Sequence, residues 1–239
     1  MRIRHMMAGG IVVAGGLLLT ACDWEEFGGK EFNDSASLSG PISEVRFTND
    51  SGSVKISVGD SIEIRRTVGY HETKPGKTYR MDGGALVLEN CPERNCWVSY
   101  EVTVPKGTKV SGHLDSGDVE VSGMASANVE AESGNITVRD IAGEVNARAQ
   151  SGNVQLSGID GPVVAGAESG NVSVGLASVN AVTATAESGN VDVTVPEASY
   201  QVDIQTASGN NIKNDLGDGT SGPKISLRTE SGNVTLKPA

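Results

Sequence analysis

Two cysteines, Cys91 and Cys96, enclose Pro-Glu-Arg-Asn, and a pair so spaced has three chemical uses. As free thiols they make a redox couple, as thiolates they hold a metal, and oxidised they close a short loop. A tetrahedral metal site needs two more ligands, and beyond the chain start only His71 and His113 supply imidazole. The loop-closing disulfide is the reading adopted; by chain entropy so short a loop contributes about 2 kcal/mol. Carboxylates are the other chemical resource. Glu132, Glu168, Glu187 and Glu230 each stand immediately before a Ser-Gly pair, so they would form an acidic stripe if those segments stack. Hydrolysis of glycosides needs two carboxylates at a set separation, and lyase chemistry needs a base with metal or arginine help. Carboxylates are too plentiful here to discriminate. Tyr200 is the one aromatic after residue 104, and Arg139, Arg148 and Arg228 are scattered, which leaves little to stack or clamp a sugar. No catalytic residue, cofactor or metal site is expected.

The first residues carry a different chemistry. Arg2 and Arg4 make a short basic leader, and an apolar run from Met6 to Leu19 is diluted by Gly9, Gly10, Gly15 and Gly16. The run is shorter than the roughly 20 apolar residues of a spanning helix and reads as a secretory signal, residues 1–21. It ends Leu19-Thr-Ala-Cys22, which resembles the lipobox of bacterial lipoproteins. That resemblance implies a diacylglyceryl group on the Cys22 thiol, with Cys22 first in the mature chain. Two acyl chains suffice for stable anchoring, each buried CH₂ contributing about 0.8 kcal/mol. The expected location is the extracytoplasmic face of the cell membrane, surface or periplasmic side, where disulfides persist.

Loss of residues 1–21 removes Arg2 and Arg4 and no acid, so the net charge moves from −11 to −13. Such a chain repels nucleic acid and anionic lipid, and no nucleic-acid partner is expected. Gly 31 against Phe 3 and Trp 2 indicates many tight turns around a narrow core.

Residues 22–40 are acidic and glycine- and serine-containing, and read as a tether of roughly 20–25 Å reach. Residues 41–110 alternate in the manner of half-buried strands, as in Val45-Arg-Phe47, Val54-Lys-Ile56, Ile62-Glu-Ile64 and Trp97 to Val104. Residues 111–239 are repetitive. Ser-Gly-Asn or Ser-Gly-Asp begins at Ser116, Ser133, Ser151, Ser169, Ser188, Ser208 and Ser231, at intervals of 17, 18, 18, 19, 20 and 23; Ser51-Gly-Ser-Val54 is a decayed copy. A period near 18–20 residues indicates a solenoid.

Aligned on the serine, apolar residues recur at every second place on both sides, as in Val163/Ala165/Ala167 before Ser169 and Val172/Val174 after it. Period-two alternation on both sides of a glycine means two strands joined by a turn. Met124, Ile141 and Ile159 fill the opposite corner. Stacking places Asn135, Asn153, Asn171, Asn190 and Asn233 in a ladder of amides. A ligand-binding row is the functional reading of that ladder; a structural turn is the one adopted. The stripe of glutamates is read as solvated, because the glycine- and aspartate-rich calcium repeat is absent.

These rungs, led by Tyr100-Glu-Val-Thr-Val-Pro105-Lys-Gly, resemble the bacterial DUF4097 family, described as adhesin-like β-helices, over roughly residues 42–238. The resemblance implies an all-β fold, a right-handed single-stranded parallel β-helix with rungs of about 18–20 residues behind a β-rich N-terminal part. It implies no catalytic residue. The expected function is a membrane-anchored, non-catalytic interaction scaffold whose partner is an envelope polymer or surface protein not specified by the sequence. An accessory role in envelope stress sensing and a polysaccharide-active enzyme are the alternatives.

Overall fold

The structure, a computed structural model, describes residues 28–208, 211–217 and 219–239. The signal segment 1–21 and Cys22 lie outside the described residues. So do residues 23–27 of the expected tether. Residues 30–38 of that same stretch form the first strand.

Strands β1 (Lys30–Leu38), β2 (Glu44–Ser51), β3 (Val54–Val58), β4 (Ile62–Tyr70), β5 (Tyr79–Asp82), β6 (Ala85–Leu88) and β7 (Trp97–Val104) build one end of the molecule. The rest is a series of strand pairs: β8 (Lys109–Ser116) with β9 (Val119–Ser122), β10 (Ser126–Ser133) with β11 (Ile136–Ile141), and β12 (Val145–Ser151) with β13 (Val154–Ile159). There follow β14 (Val163–Ser169) with β15 (Val172–Leu176), β16 (Val182–Ser188) with β17 (Val191–Val195), β18 (Gln201–Thr206) with β19 (Ile212–Asn214), and β20 (Lys224–Ser231) with β21 (Val234–Pro238).

The first strand of each pair lies in one sheet and the second in the other. A 10-stranded sheet runs β18-β20-β16-β14-β12-β10-β8-β2-β6-β5, and an 11-stranded sheet runs β1-β4-β7-β3-β9-β11-β13-β15-β17-β21-β19. The chain changes sheet at the Ser-Gly turns. There Gly134, Gly152 and Gly170 have φ of 142, 145 and 152°. A Cβ on any of them would enter the carbonyl of the glycine one rung below, so the turns stack backbone on backbone. The inward residues are Val, Ala, Leu and Ile, and one buried cluster runs from Val45 to Leu236 without a break. Ala165 and Ala184, 1 and 0 % exposed, fill their inward positions with a methyl group alone.

All-β is correct, and the single-stranded parallel β-helix is not. Both sheets are mixed: β4 is antiparallel to β1 and to β7, and β5 is antiparallel to β6. The stack also departs from chain order. β2 and β3 pair directly with β8 and β9, so the decayed Ser51 copy is a full rung beside Ser116, and β4–β7 are an excursion between them. At the other end β20 and β21 insert beside β16 and β17, which displaces β18 and β19 to the outside. Burial explains the exchange. Ile225, Leu227, Val234 and Leu236 are at most 1 % exposed in the inner position, whereas Ile212 on the outer rung is 49 % exposed. The rung with the stronger apolar alternation takes the place covered on both sides, and a three-residue strand is left as the edge, which limits edge pairing.

Candidate functional site

The Ser-Gly-Asn corner is a continuous hydrogen-bonded ladder. Asp118 Oδ1 accepts from the Asn135 backbone N–H and Nδ2, at 2.8 and 3.1 Å. Asn135 Oδ1 accepts from Asn153 in the same two ways, and Asn153 Oδ1 from Asn171. The ladder passes through Asn190 to Asn233 and ends with the Asn211 N–H on Asn233 Oδ1. Each side-chain oxygen is thus occupied by the next rung, and its role is to fix the turn.

The opposite arrangement, many charged groups with few bonds, occurs on the outer face of the 10-stranded sheet. In-register parallel pairing aligns one row as Asp50, Asp115, Glu132, Gln150, Glu168, Glu187 and Glu230. Two residues earlier on each strand stands a second row, Thr48, His113, Glu130, Arg148, Gly166, Thr185 and Arg228. Strand spacing of about 4.8 Å fixes the distance between neighbours in a row. Gly166 interrupts the second row, and a groove of about 490 Å³ opens there between Arg148 and Arg228. Its floor includes Ala149, Ala167 and Ala186. Among the described residues, neither Arg148 nor Arg228 lies within 4.0 Å of a carboxylate, although five glutamates line the same groove. At the groove's end His113 Nε2 stands 3.1 Å from Asp115 Oδ1 and 3.7 Å from Glu132 Oε1, and Nδ1 stands 3.9 Å from Glu130 Oε2.

The other clusters are structural. Arg66, 3 % exposed, donates from Nε and Nη2 to Asp34 and from Nη1 to the Gly76 carbonyl and Thr78 Oγ1. That pairing ties β1 to β4 and to the loop before β5, and the Arg66 hydrogen bond holds the Asp34 carboxyl below its usual range. Burial pushes the Tyr100 phenol up to about 12, and its hydroxyl sits among Thr78 and the Glu89 carbonyl. On the 11-stranded sheet Lys55, and then Arg139, hold Glu120 low. Arg80 does the same for Asp82, while Gln205 and then Lys224 do it for Asp203. A general acid needs the opposite shift. Cys91 and Cys96 are disulfide-bonded, and His71 lies in a separate depression beside Cys96 and Trp97.

Alignment on the serine already places Glu132, Glu168, Glu187 and Glu230 in one row, and the structure puts Gln150 between the first two. It does not disclose the second row, although the signal is present: His113, Glu130, Arg148 and Arg228 all stand three places before a serine. The Asp34–Arg66 pair has a fainter signal in the alternation Phe32, Ala36, Leu38 within a segment that otherwise reads as tether.

Two mixed sheets packed face to face by short repeats, with a regular array of charged side chains outside, define a protein that presents a surface. The Toastrack DUF4097 family matches residues 42–161 and 148–237, and the chain belongs to it. No curated protein matches it. A candidate cell adhesion protein from Clostridium sporogenes is similar in structure, with 12% identity, TM-score 0.39, and 88% of this chain and 100% of that one covered. A candidate adhesin from Bacteroides fragilis is 13% identical, with TM-score 0.46, covering 88% of this chain and 97% of that one.

Proposed function

We propose that this protein is a non-catalytic, adhesin-like scaffold of the cell envelope, and that its contact surface is the outer face of the 10-stranded sheet. The observation that supports this most is Arg148 and Arg228 standing unpaired across Gly166 on a face rich in carboxylates. Exposed arginines beside glutamates ordinarily find a partner at modest gain. Guanidinium groups held apart over a groove suit a ligand carrying carboxylate or phosphate, and the flanking glutamates accept from hydroxyls. An envelope glycan with sparse acidic groups has both, and its low charge density spares it the repulsion that excludes nucleic acid from so acidic a face. Lipid attachment at Cys22 would hold this surface at the extracytoplasmic face of the membrane, with the partner an envelope polymer or surface protein.

Two experiments test this reading. Full-length protein should co-sediment with isolated envelope polymer, and the double variant Arg148→Ala/Arg228→Ala should lose that binding with unchanged thermal stability. Undiminished binding by the variant removes the groove from the proposal. Cys22→Ser should shift the protein out of the membrane fraction; wild-type mobility and membrane association in that variant would refute the anchor.

A further inference from the structure

His113, Asp115, Glu130 and Glu132 occupy the four corners of a rectangle on two adjacent strands. His113 and Asp115 are two residues apart on β8, and Glu130 and Glu132 face them from β10. Period-two geometry puts all four side chains on one face. The ligand atoms of His113, Asp115 and Glu132 all lie within 4.8 Å of one another, a spacing that a single ion can bridge. We propose that these three residues form a binding site for a divalent transition-metal ion, with Glu130 as its outer support.

The orientation of the imidazole carries the proposal beyond a mere accumulation of acids. Nε2 faces Asp115 and Glu132, the two carboxylates that would share the ion, while Nδ1 faces Glu130. A metal-bound histidine characteristically gives its second N–H to a carboxylate, which fixes the tautomer and leaves the other nitrogen's lone pair for the metal. Glu130 Oε2, 3.9 Å from Nδ1, is beyond hydrogen-bond length and would take that role by a side-chain rotation when the ion binds. Asp115 also has Asp50 directly across in the strand on its other side, and like charges facing across a sheet are destabilising. A bound cation offsets that repulsion.

The donor set decides the class of ion. One nitrogen and two carboxylate oxygens suit zinc or a neighbouring first-row metal, whereas calcium takes six to eight oxygens. Three protein ligands leave a coordination position open. It lies at the end of the groove that holds Arg148 and Arg228, because His113, Glu130 and Glu132 line that groove as well. On the function proposed above, the open position would take an anionic group of the same ligand; this last step rests on that reading, and the metal site does not.

Calorimetric titration of full-length protein with zinc chloride tests the site, alongside thermal unfolding with zinc and with EDTA. One site of micromolar affinity is expected, with a raised unfolding temperature in zinc. His113→Ala and Glu132→Gln should each weaken binding at least tenfold, and exposed Glu197→Gln should leave it unchanged. Cobalt in place of zinc should give a visible absorption band that His113→Ala abolishes, a signature that simple loss of charge would not remove. Affinity weaker than millimolar, or equal weakening by His113→Ala and Glu197→Gln, overturns the site. So does calcium binding as tightly as zinc with His113→Ala without effect, which would mean a diffuse polyanion. Co-sedimentation with envelope polymer in EDTA separates the two proposals, since loss of the metal site alone leaves arginine-dependent binding measurable.

Discussion

Substitution of alanine for Gly152, compared with the same change at Gly166, tests the central feature of the fold. Both glycines are in the repeats, and only one of them is required by the backbone. Gly152 has φ of 145°, a conformation that costs an L-residue about 1–3 kcal/mol. Its new Cβ would also fall inside contact distance of the Gly134 carbonyl oxygen, a backbone atom that cannot rotate aside. Relief requires the rungs to separate locally, which strains the 2.9 Å bonds Gly134 N–H to Ser151 O and Gly152 N–H to Ser169 O. Weakening one or both adds about 1–2 kcal/mol, for a total of about 2–5 kcal/mol. Gly166 has no such constraint: a Cβ there meets Thr185 Oγ1 at 3.3 Å and Arg148 Cγ at 3.9 Å, both in movable side chains. Removing a glycine from a strand interior contributes about 0.5–1 kcal/mol of stability, so Gly166→Ala should be neutral or slightly stabilising. Denaturant titration followed by circular dichroism measures both variants. Stabilities within about 1 kcal/mol of each other would show that the stacked glycine turns bear no backbone constraint.

Ala165→Phe, at a fully buried position filled by a methyl group, should cost about 1–3 kcal/mol or more, whereas outward Glu168→Gln should stay within about 0.5 kcal/mol in the same titration. Asn153→Ala removes the Nδ2 bond to Asn135 Oδ1 and the oxygen that accepts both bonds from Asn171, and should cost about 1–2 kcal/mol, measured as a lowered denaturation midpoint. The backbone N–H of residue 153 still donates to Asn135 Oδ1, which keeps the loss at that level. Asp34 is held low by Arg66, so the stability it contributes is fully present above its ordinary value of 3.8 and is lost as the pH falls through the lower, folded-state value. Asp34→Asn should therefore be less stable than wild type at neutral pH, by about 1 kcal/mol because the partly exposed carboxylate is screened by solvent, with the gap closing on acidification below pH 3.8, read from unfolding curves at a series of pH values. A gap independent of pH would show that the charge on Asp34 is not what Arg66 uses.

Within the repeats, the sequence alone determined the strands, the turns and the facing of the side chains. Those depend on local rules: alternation at period two, and glycine where φ must be positive. Seven near-copies make these rules legible, and Val163, Ala165 and Ala167 are buried as their spacing implies. Spacing also aligned Glu132 with Glu168, because in-register parallel pairing preserves the count from each serine. The order of the rungs was decided only in the tertiary structure. A repeat alignment assumes that neighbours in sequence are neighbours in space, and nothing local to Ser208 or Ser231 contradicts that assumption. The exchange that sends β18 and β19 outward follows from comparing the burial of two whole rungs, Ile225/Leu227/Val234/Leu236 against Val202/Ile204/Ile212. The antiparallel strands were hidden for a related reason. β1 is given its place by β4, through Phe32 packed edge-on against Tyr70 and Asp34 on buried Arg66, with partners more than 30 residues away. Long-range pairing of this kind leaves no period to detect, and its stabilisation exists only once both strands are in the sheet.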